Sequence, residues 1–182
     1  MEGESPANSD LTFRRARPEE AGLVVSLTNS AYRGDSSRAG WTTEADLLDG
    51  QRTDLEEILS LINGQDSFIL LCLRGREIVG SVNLQKEGES AYLGMLVVQP
   101  TLQARGIGKE LIRAAETEAG REWSIARMTM TVISFRPELV AYYERRGYRL
   151  TGYSKPFPEH TRGGIPRVDG LKLDVMEKDL TL

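Results

Sequence analysis

Cysteine and histidine are nearly missing from this chain of 182 residues, which has one of each, Cys72 and His160. A lone cysteine excludes an intrachain disulfide. It lies in the apolar run Phe68–Leu73, where a buried filler is expected, because a reactive thiolate needs an electropositive, partly open setting. A zinc site or a cysteine–histidine catalytic pair would need more ligands than the chain offers, and His160, in a proline-rich loop, reads as a surface residue. No apolar run approaches the ~20 residues that span a bilayer. The polar, acidic start Met1–Asp10 is neither a signal peptide nor a transit peptide, so the expected location is cytoplasmic. Basic excess is missing too: 23 basic against 27 acidic residues leave a net charge of −4. That argues against a nucleic-acid scaffold, while a local basic pocket for phosphates stays open.

What remains is an ordinary globular composition, 40% hydrophobic and 27% charged, and a length close to the roughly 150-residue prior for one domain. The expected organisation is a disordered tail over residues 1–10 and a single domain over 11–182. No repeat or linker divides it.

Along the chain, Leu11 and Phe13 alternate with Thr12 and Arg14, a short strand signal. Pro18-Glu19-Glu20 opens a helix whose face carries Val24, Leu27 and Ala31, and Arg33–Gly40 reads as a loop. Thr43-x-x-Asp46 and Thr53-x-x-Glu56 resemble capping boxes. Behind the second, Leu55, Ile58, Leu59 and Ile62 give a helical face, closed by Gly64. Strands follow at Phe68–Leu73, Ile78–Leu84 and Ala91–Val98, the first apolar on both faces. Then come a helix over Ile107–Ala119, a strand over Met128–Val132, a helix opened by Pro137 and ended by Gly147, and strands at Tyr148–Tyr153 and Leu171–Val175, separated by the long loop Lys155–Gly170. A meander followed by strand–helix–strand predicts an α/β (α+β) fold, a mixed sheet with helices on both faces.

The sharpest signal is Val98-Gln99-Pro100-Thr101-Leu102-Gln103-Ala104-Arg105-Gly106-Ile107-Gly108-Lys109. A buried strand ends, proline stops the sheet ladder, and a helix starts inside the glycine pair. The N–H groups at a helix start have no intrahelical partner, and with the helix dipole they form a site for a phosphate or pyrophosphate. Gly106 and Gly108 let that backbone approach an anion closely, and Arg105 and Lys109 add charge. A glycine-bearing N-cap with solvated Arg and Lys is the competing explanation. A P-loop is excluded because Gln103 holds its first glycine position and Glu110 its Ser/Thr position; the dinucleotide fingerprint fails because position 111 is Leu.

V-x-P-x-x-Q-x-x-G-I-G-K between a strand and a helix resembles motif A of the GNAT superfamily of acetyl-CoA-dependent N-acetyltransferases. Downstream, Tyr142-Tyr143-Glu144-Arg145-Arg146-Gly147-Tyr148 is similar to that family's Y-x-x-x-G-[FY] element. The resemblance implies a mostly antiparallel mixed sheet of about seven strands, splayed at the fourth and fifth. It implies that the backbone of Gln103, Ala104, Arg105, Gly106, Ile107, Gly108 and Lys109 holds the CoA pyrophosphate. The main chain of Leu96, Val97 and Val98 would pair with the pantetheine arm, a bulge at Gly94-Met95 would free an N–H to polarise the thioester carbonyl, and Tyr143 would protonate the departing thiolate. Where relatives often carry Asn, seven positions before that tyrosine, this chain has Arg136, which reaches a phosphate or caps its helix from outside. Tyr143 has a competing role as plain core, one turn from Leu139.

The implied co-substrate is acetyl-CoA, with no metal, and the reaction is acetylation of a small-molecule primary amine by direct transfer in a ternary complex. An amine of pKa ~10.4 must lose a proton first; Glu44, Asp46 and Glu138 are candidate bases, and Tyr92 stands where many relatives place a carboxylate. The segment Tyr32–Arg52, with Trp41 and Glu44, is the expected acceptor wall, and Tyr153–His160 the opposite rim. Neither nucleic acid nor membrane is an expected partner, and a homodimer is left open. The rivals are a non-catalytic acetyl-CoA-binding regulatory module, a protein-interaction domain with an incidental glycine loop, and an enzyme acetylating protein N-termini or lysines.

Overall fold

Hydrophobic patterning decides which elements form and where they meet. The strands are β1 (Leu11–Arg15), β2 (Leu48–Asp49), β3 (Ser67–Arg74), β4 (Glu77–Glu87), β5 (Ser90–Val98), β6 (Arg127–Ile133), β7 (Arg149–Pro156), β8 (Ile165–Pro166) and β9 (Lys172–Asp179). The helices are α1 (Ala21–Tyr32), α2 (Gly34–Ser37), α3 (Leu55–Asn63), α4 (Ile107–Trp123) and α5 (Pro137–Glu144). This computed structural model describes residues 10–158 and 163–181, so His160 and the expected tail before residue 10 lie outside the described residues.

Seven strands make one sheet in the order β1-β3-β4-β5-β6-β9-β7, antiparallel except for β5–β6. The apolar run of β3 is buried on both faces because α1 and α3 cover one side of the sheet and α4 the other. Ile107, Leu111, Ile112, Ala115 and Ala119 of α4 join the larger core with Val82, Leu84, Leu93 and Met130. Ala21 and Val24 of α1 and Ile58 of α3 join Ile69, Leu71 and Met95 on the other face. Cys72 is a buried filler of the larger core, its thiol pushed up to about 11 by burial.

Several expectations change. Thr43-x-x-Asp46 opens no helix: Thr43 Oγ1 accepts from Ala45 N at 3.3 Å and bonds Ser37 Oγ at 2.6 Å, and a turn follows. The second box caps one residue later, with Asp54 accepting from Glu57 N at 2.8 Å. Leu55 then falls outside the buried face and stays 52% exposed. The loop Arg33–Gly40 contains the short α2. The paired β2 and β8, two residues each, tie the segment after α2 to the long loop before β9. Among the described residues no helix is long and apolar enough to cross a membrane.

β5 and β6 are paired over only part of their length. They pair only over Ser90–Tyr92 against Arg127–Thr129 and then part. On β4, Ser81 and Asn83 are two residues apart, but their partners Val97 and Gly94 on β5 are three apart, so β5 carries one extra residue. That is a β-bulge, and Met95 sits in it with φ +46°. A bulge bends its strand and increases local twist, which is why the C-terminal half of β5 leaves β6 and opens a cleft.

Candidate active site

The cleft between the parting strands has a volume of about 950 Å³. One wall is β5 and the start of α4, the other is the end of β6 with α5; Tyr32, Trp41, Glu44, Arg52 and Glu57 close one end.

The loop from Gln103 to Lys109 forms the mouth. Ala104 and Gly106 both take left-handed backbone, with φ +61° and +82°, which turns successive N–H groups the same way. The first N–H beyond the loop to find an acceptor is that of Glu110, bonded to Gly106 O at 3.2 Å. Among the described residues, the N–H groups of Gln103 through Lys109 meet no protein acceptor. Ile107 is buried and anchors the helix start, while Ala104, Arg105 and Lys109 are exposed. At Gly108 a Cβ would stand 2.6 Å from Tyr142 Oη, so the glycine admits both the phenol and a ligand-side approach to the backbone.

Gln103 does more than lend its backbone. Its Oε1 accepts from Trp41 N at 2.9 Å, and its Nε2 donates to Thr42 Oγ1 at 3.0 Å and to Val98 O at 3.1 Å. One amide therefore pins the loop to both the strand and the acceptor wall. Gly40 leaves room for it, since a Cβ there would come within 2.5 Å of that oxygen.

Carbonyls two residues apart face the same edge of a strand. On the free edge of β5, Leu96 O accepts from Tyr32 Oη and Val98 O accepts from Gln103. Val97 is in register with Ser81 of β4 instead. The expected pairing of Leu96, Val97 and Val98 with an extended ligand is thus narrowed: the two carbonyls of that edge are already engaged.

Tyr143 lies on α5 between two other rings, edge-on to Tyr142 at 5.2 Å and to Tyr148 at 6.0 Å. Its pKa stands well above 10, first through burial and then through the neighbouring phenols of Tyr32 and Tyr142. The phenol therefore keeps its proton at any ordinary assay pH. Tyr142 packs against Trp41 with the rings tilted by 54° and their centroids 5.0 Å apart, and it carries the Arg146 guanidinium 3.3 Å over its ring.

Arg136 donates from its guanidinium to Trp41 O at 2.8 Å, to Thr43 O at 2.6 Å and to Glu138. It is buried and outside the cleft lining, with its guanidinium engaged by the segment Trp41–Thr43 and by Glu138. Asp46 is set aside as a base: it is exposed, bonded to Arg38 at 2.8 Å, and held below the usual carboxylate range by that hydrogen bond. Glu44 and Glu138 do line the cleft. Glu44 is bound to the buried Arg33, which also donates to Gly163 O. Burial is the largest influence on Glu138 and opposes its charge, but the Arg136 hydrogen bond, a backbone hydrogen bond and the Arg136 charge together outweigh it and lower its pKa.

Tyr32, Arg33 and Arg52 fall inside the segment expected as the acceptor wall without having been given roles of their own, and Glu57, on α3, was not expected in the site. Among the described residues no cluster of three or more metal-ligating side chains occurs.

A family model described as the acetyltransferase (GNAT) domain matches residues 48–166. The chain belongs to the GNAT acetyltransferase family. It is thereby an acyltransferase. No curated protein matches the sequence. Among solved structures, a chimera of the spermidine N-acetyltransferase SpeG from Vibrio cholerae and hSSAT is 15% identical, with 94% of this chain and 96% of that chain covered and a TM-score of 0.68. The ribosomal-protein-S18-alanine N-acetyltransferase of Escherichia coli is 13% identical over 94% and 95%, at 0.69. The yncA protein of Salmonella typhimurium, solved with its cofactor acetyl-CoA, is 16% identical over 95% of each chain, at 0.68. At these identities they establish the GNAT fold, with its seven-stranded, mostly antiparallel, splayed sheet.

Proposed function

We propose that this GNAT protein moves an acetyl group from acetyl-CoA to a primary amine of a small-molecule acceptor, by direct transfer in a ternary complex. The observation that carries the reading is the row of N–H groups from Gln103 to Lys109, without protein acceptors among the described residues, where the two central strands part. These groups fit a pyrophosphate, with Gly106 and Gly108 permitting close approach and Arg105 and Lys109 adding charge. The N–H groups of Leu96 and Val98 on the open edge of β5 would receive the pantetheine arm, their carbonyls being engaged elsewhere. Acetyl-CoA supplies the acetyl group as a thioester. An N–H at the Met95 bulge would stabilise charge growing on the carbonyl oxygen. Tyr143 Oη, protonated throughout, would donate to the departing sulfur.

The acceptor amine must arrive unprotonated or lose its proton in the cleft, whose carboxylates are Glu44, Glu57 and Glu138. The reading needs no metal, nucleic acid or membrane, works from one domain over residues 11–182, and places the protein in the cytoplasm.

Calorimetry with acetyl-CoA and a free-thiol assay over amines, amino acids and polyamines test it together. Saturable binding and amine-dependent thiol release are expected, with Tyr143→Phe binding acetyl-CoA normally while turnover falls by about 100-fold or more. Absence of saturable binding would end the reading. Binding without turnover on any amine would leave a regulatory module, and turnover only on peptides would leave a protein acetyltransferase.

A further inference from the structure

Among the described residues, the acceptor end of the cleft carries two opposite charges without an ion-pair partner. Its other formal charges are accounted for: Glu44 is bound to Arg33, and Glu138 to Arg136. Lys109, Arg145 and Arg146 lie at the other end, around the start of α4 and the end of α5. Arg52 and Glu57 are left. Both line the cleft and both are partly buried. Among the described residues neither makes an ion pair, with each other or with any third group.

Their positions are held. Arg52 N donates to Asn29 Oδ1 at 2.7 Å, and the Arg52 guanidinium lies 5.9 Å from the centroid of the Tyr32 ring. The hydroxyl of that ring donates to Leu96 O, beside the β5 bulge. Arg52 is therefore about one aromatic ring away from the strand where the thioester would lie. Glu57 takes a hydrogen bond from Thr53 Oγ1 at 2.6 Å, which orients its carboxylate without cancelling its charge. The same cleft has an apolar stretch of wall: Leu48 and Ile133 belong to a small core with Phe157 and Leu173 packed against it, and all four line the cleft.

A partly buried cation and anion on one wall, kept apart, complement a ligand that carries both charges a short distance from each other. A planar guanidinium fork matches a carboxylate through paired charge-assisted hydrogen bonds. A polyamine would leave Arg52 facing like charge, and a peptide N-terminus would offer it no carboxylate. We propose that the acceptor is a free amino acid with an apolar side chain, its carboxylate on Arg52, its ammonium facing Glu57, and its side chain against Leu48, Ile133, Phe157 and Leu173. This rests on the acetyltransferase reading above and names the acceptor class for it.

The test compares leucine and phenylalanine with their amides, with the decarboxylated amines and with spermidine, in the free-thiol assay, using wild type and Arg52→Gln. Wild type should prefer the acid over its amide by roughly 10–100-fold in kcat/KM, the range of a hydrogen bond between charged groups. In Arg52→Gln that ratio should collapse to about 1. Acetyl-CoA titration of both proteins by calorimetry shows that the donor site and the fold survive the change. Equal use of acid and amide by wild type, a better rate with spermidine, no acetylation of either acid, or an unchanged ratio in Arg52→Gln would each overturn the proposal. If wild type fails to bind acetyl-CoA at all, the acetyltransferase reading falls first, and the two failures are told apart by that titration.

Discussion

Replacing Gly108 by alanine sets two effects against each other at one position. Gly108 is the second residue of α4 with ordinary helical backbone, so alanine gains at most ~1 kcal/mol of helix propensity. Against that, its Cβ would stand 2.6 Å from Tyr142 Oη. Ordinary contact begins near 3.5 Å, so the phenol must retreat by about 1 Å. Tyr142 has little room: Trp41 lies at 5.0 Å, Tyr143 at 5.2 Å, and the Arg146 guanidinium 3.3 Å above the ring. Overpacking of this kind costs about 1–3 kcal/mol. The net expectation is a loss of about 1 kcal/mol, a fall in Tm of about 3 °C for a chain of this size. Because the displaced ring touches the N–H row, Trp41 and Tyr143, acetyl-CoA affinity should fall by about tenfold.

The control follows from the same geometry. The next atom in line, Tyr142 Cζ, is 3.8 Å from the added Cβ, an ordinary contact. Gly108→Ala in a Tyr142→Phe background should therefore recover most of the lost affinity and stability, giving a coupling of about 1–2 kcal/mol in a double-mutant cycle. Calorimetric titration with acetyl-CoA and thermal melts read both quantities. A double variant as weak as Gly108→Ala alone would refute the clash, and a single variant that binds like wild type would refute the importance of close approach at Gly108.

Two further changes probe the acceptor wall. Arg136→Gln strands the carbonyls of Trp41 and Thr43 and should cost about 2 kcal/mol in urea unfolding; the acceptor KM should rise by about tenfold while acetyl-CoA affinity stays within about twofold, and a matching loss of acetyl-CoA affinity would return this arginine to the phosphates. Glu44→Gln leaves the buried Arg33 charge without its carboxylate and should cost about 3–5 kcal/mol, whereas Arg33→Met with Glu44→Leu should recover most of it; a cost under about 1 kcal/mol for Glu44→Gln would show that Arg33 is satisfied by its carbonyl contacts alone.

How far the sequence could be read depended on whether each feature was local. The helix start at Ile107 was legible because Pro100, Gly106 and Gly108 state backbone requirements by themselves. The strands of the sheet were legible from alternation and from the unbroken apolar run of β3. The β5 bulge fell at the step expected from the family resemblance. In the sequence itself it is hidden, because Leu93, Met95, Leu96 and Val97 are all apolar and any register looks acceptable; only the structure shows Leu93 and Leu96, three residues apart, facing the same core. Thr43-x-x-Asp46 misled because Thr43 bonds Ser37 and its own turn, so the hydroxyl was unavailable to cap a helix. The partners of Arg136 were hidden for a related reason: its place came from its spacing to Tyr143, whereas its two carbonyl partners lie about ninety residues away and leave no mark beside it.

The two ends of the cleft therefore differ in kind. The donor end is main chain, set by a dozen consecutive residues, and a side-chain change there that preserves the glycines, the helix start and the Gln103 amide preserves the N–H row. The acceptor end is assembled from side chains on segments far apart in sequence, with Arg33 reaching Gly163 across 130 positions and the two-residue strands β2 and β8 joining those segments. Among the described residues the two ends are tied chiefly by the Gln103 amide and the tilted ring contact of Trp41 with Tyr142. Substitutions at Arg52, Glu57 or the Leu48–Phe157 wall can thus alter which amine is accepted with little effect on the donor, whereas a change at Gln103 should disturb both substrates at once.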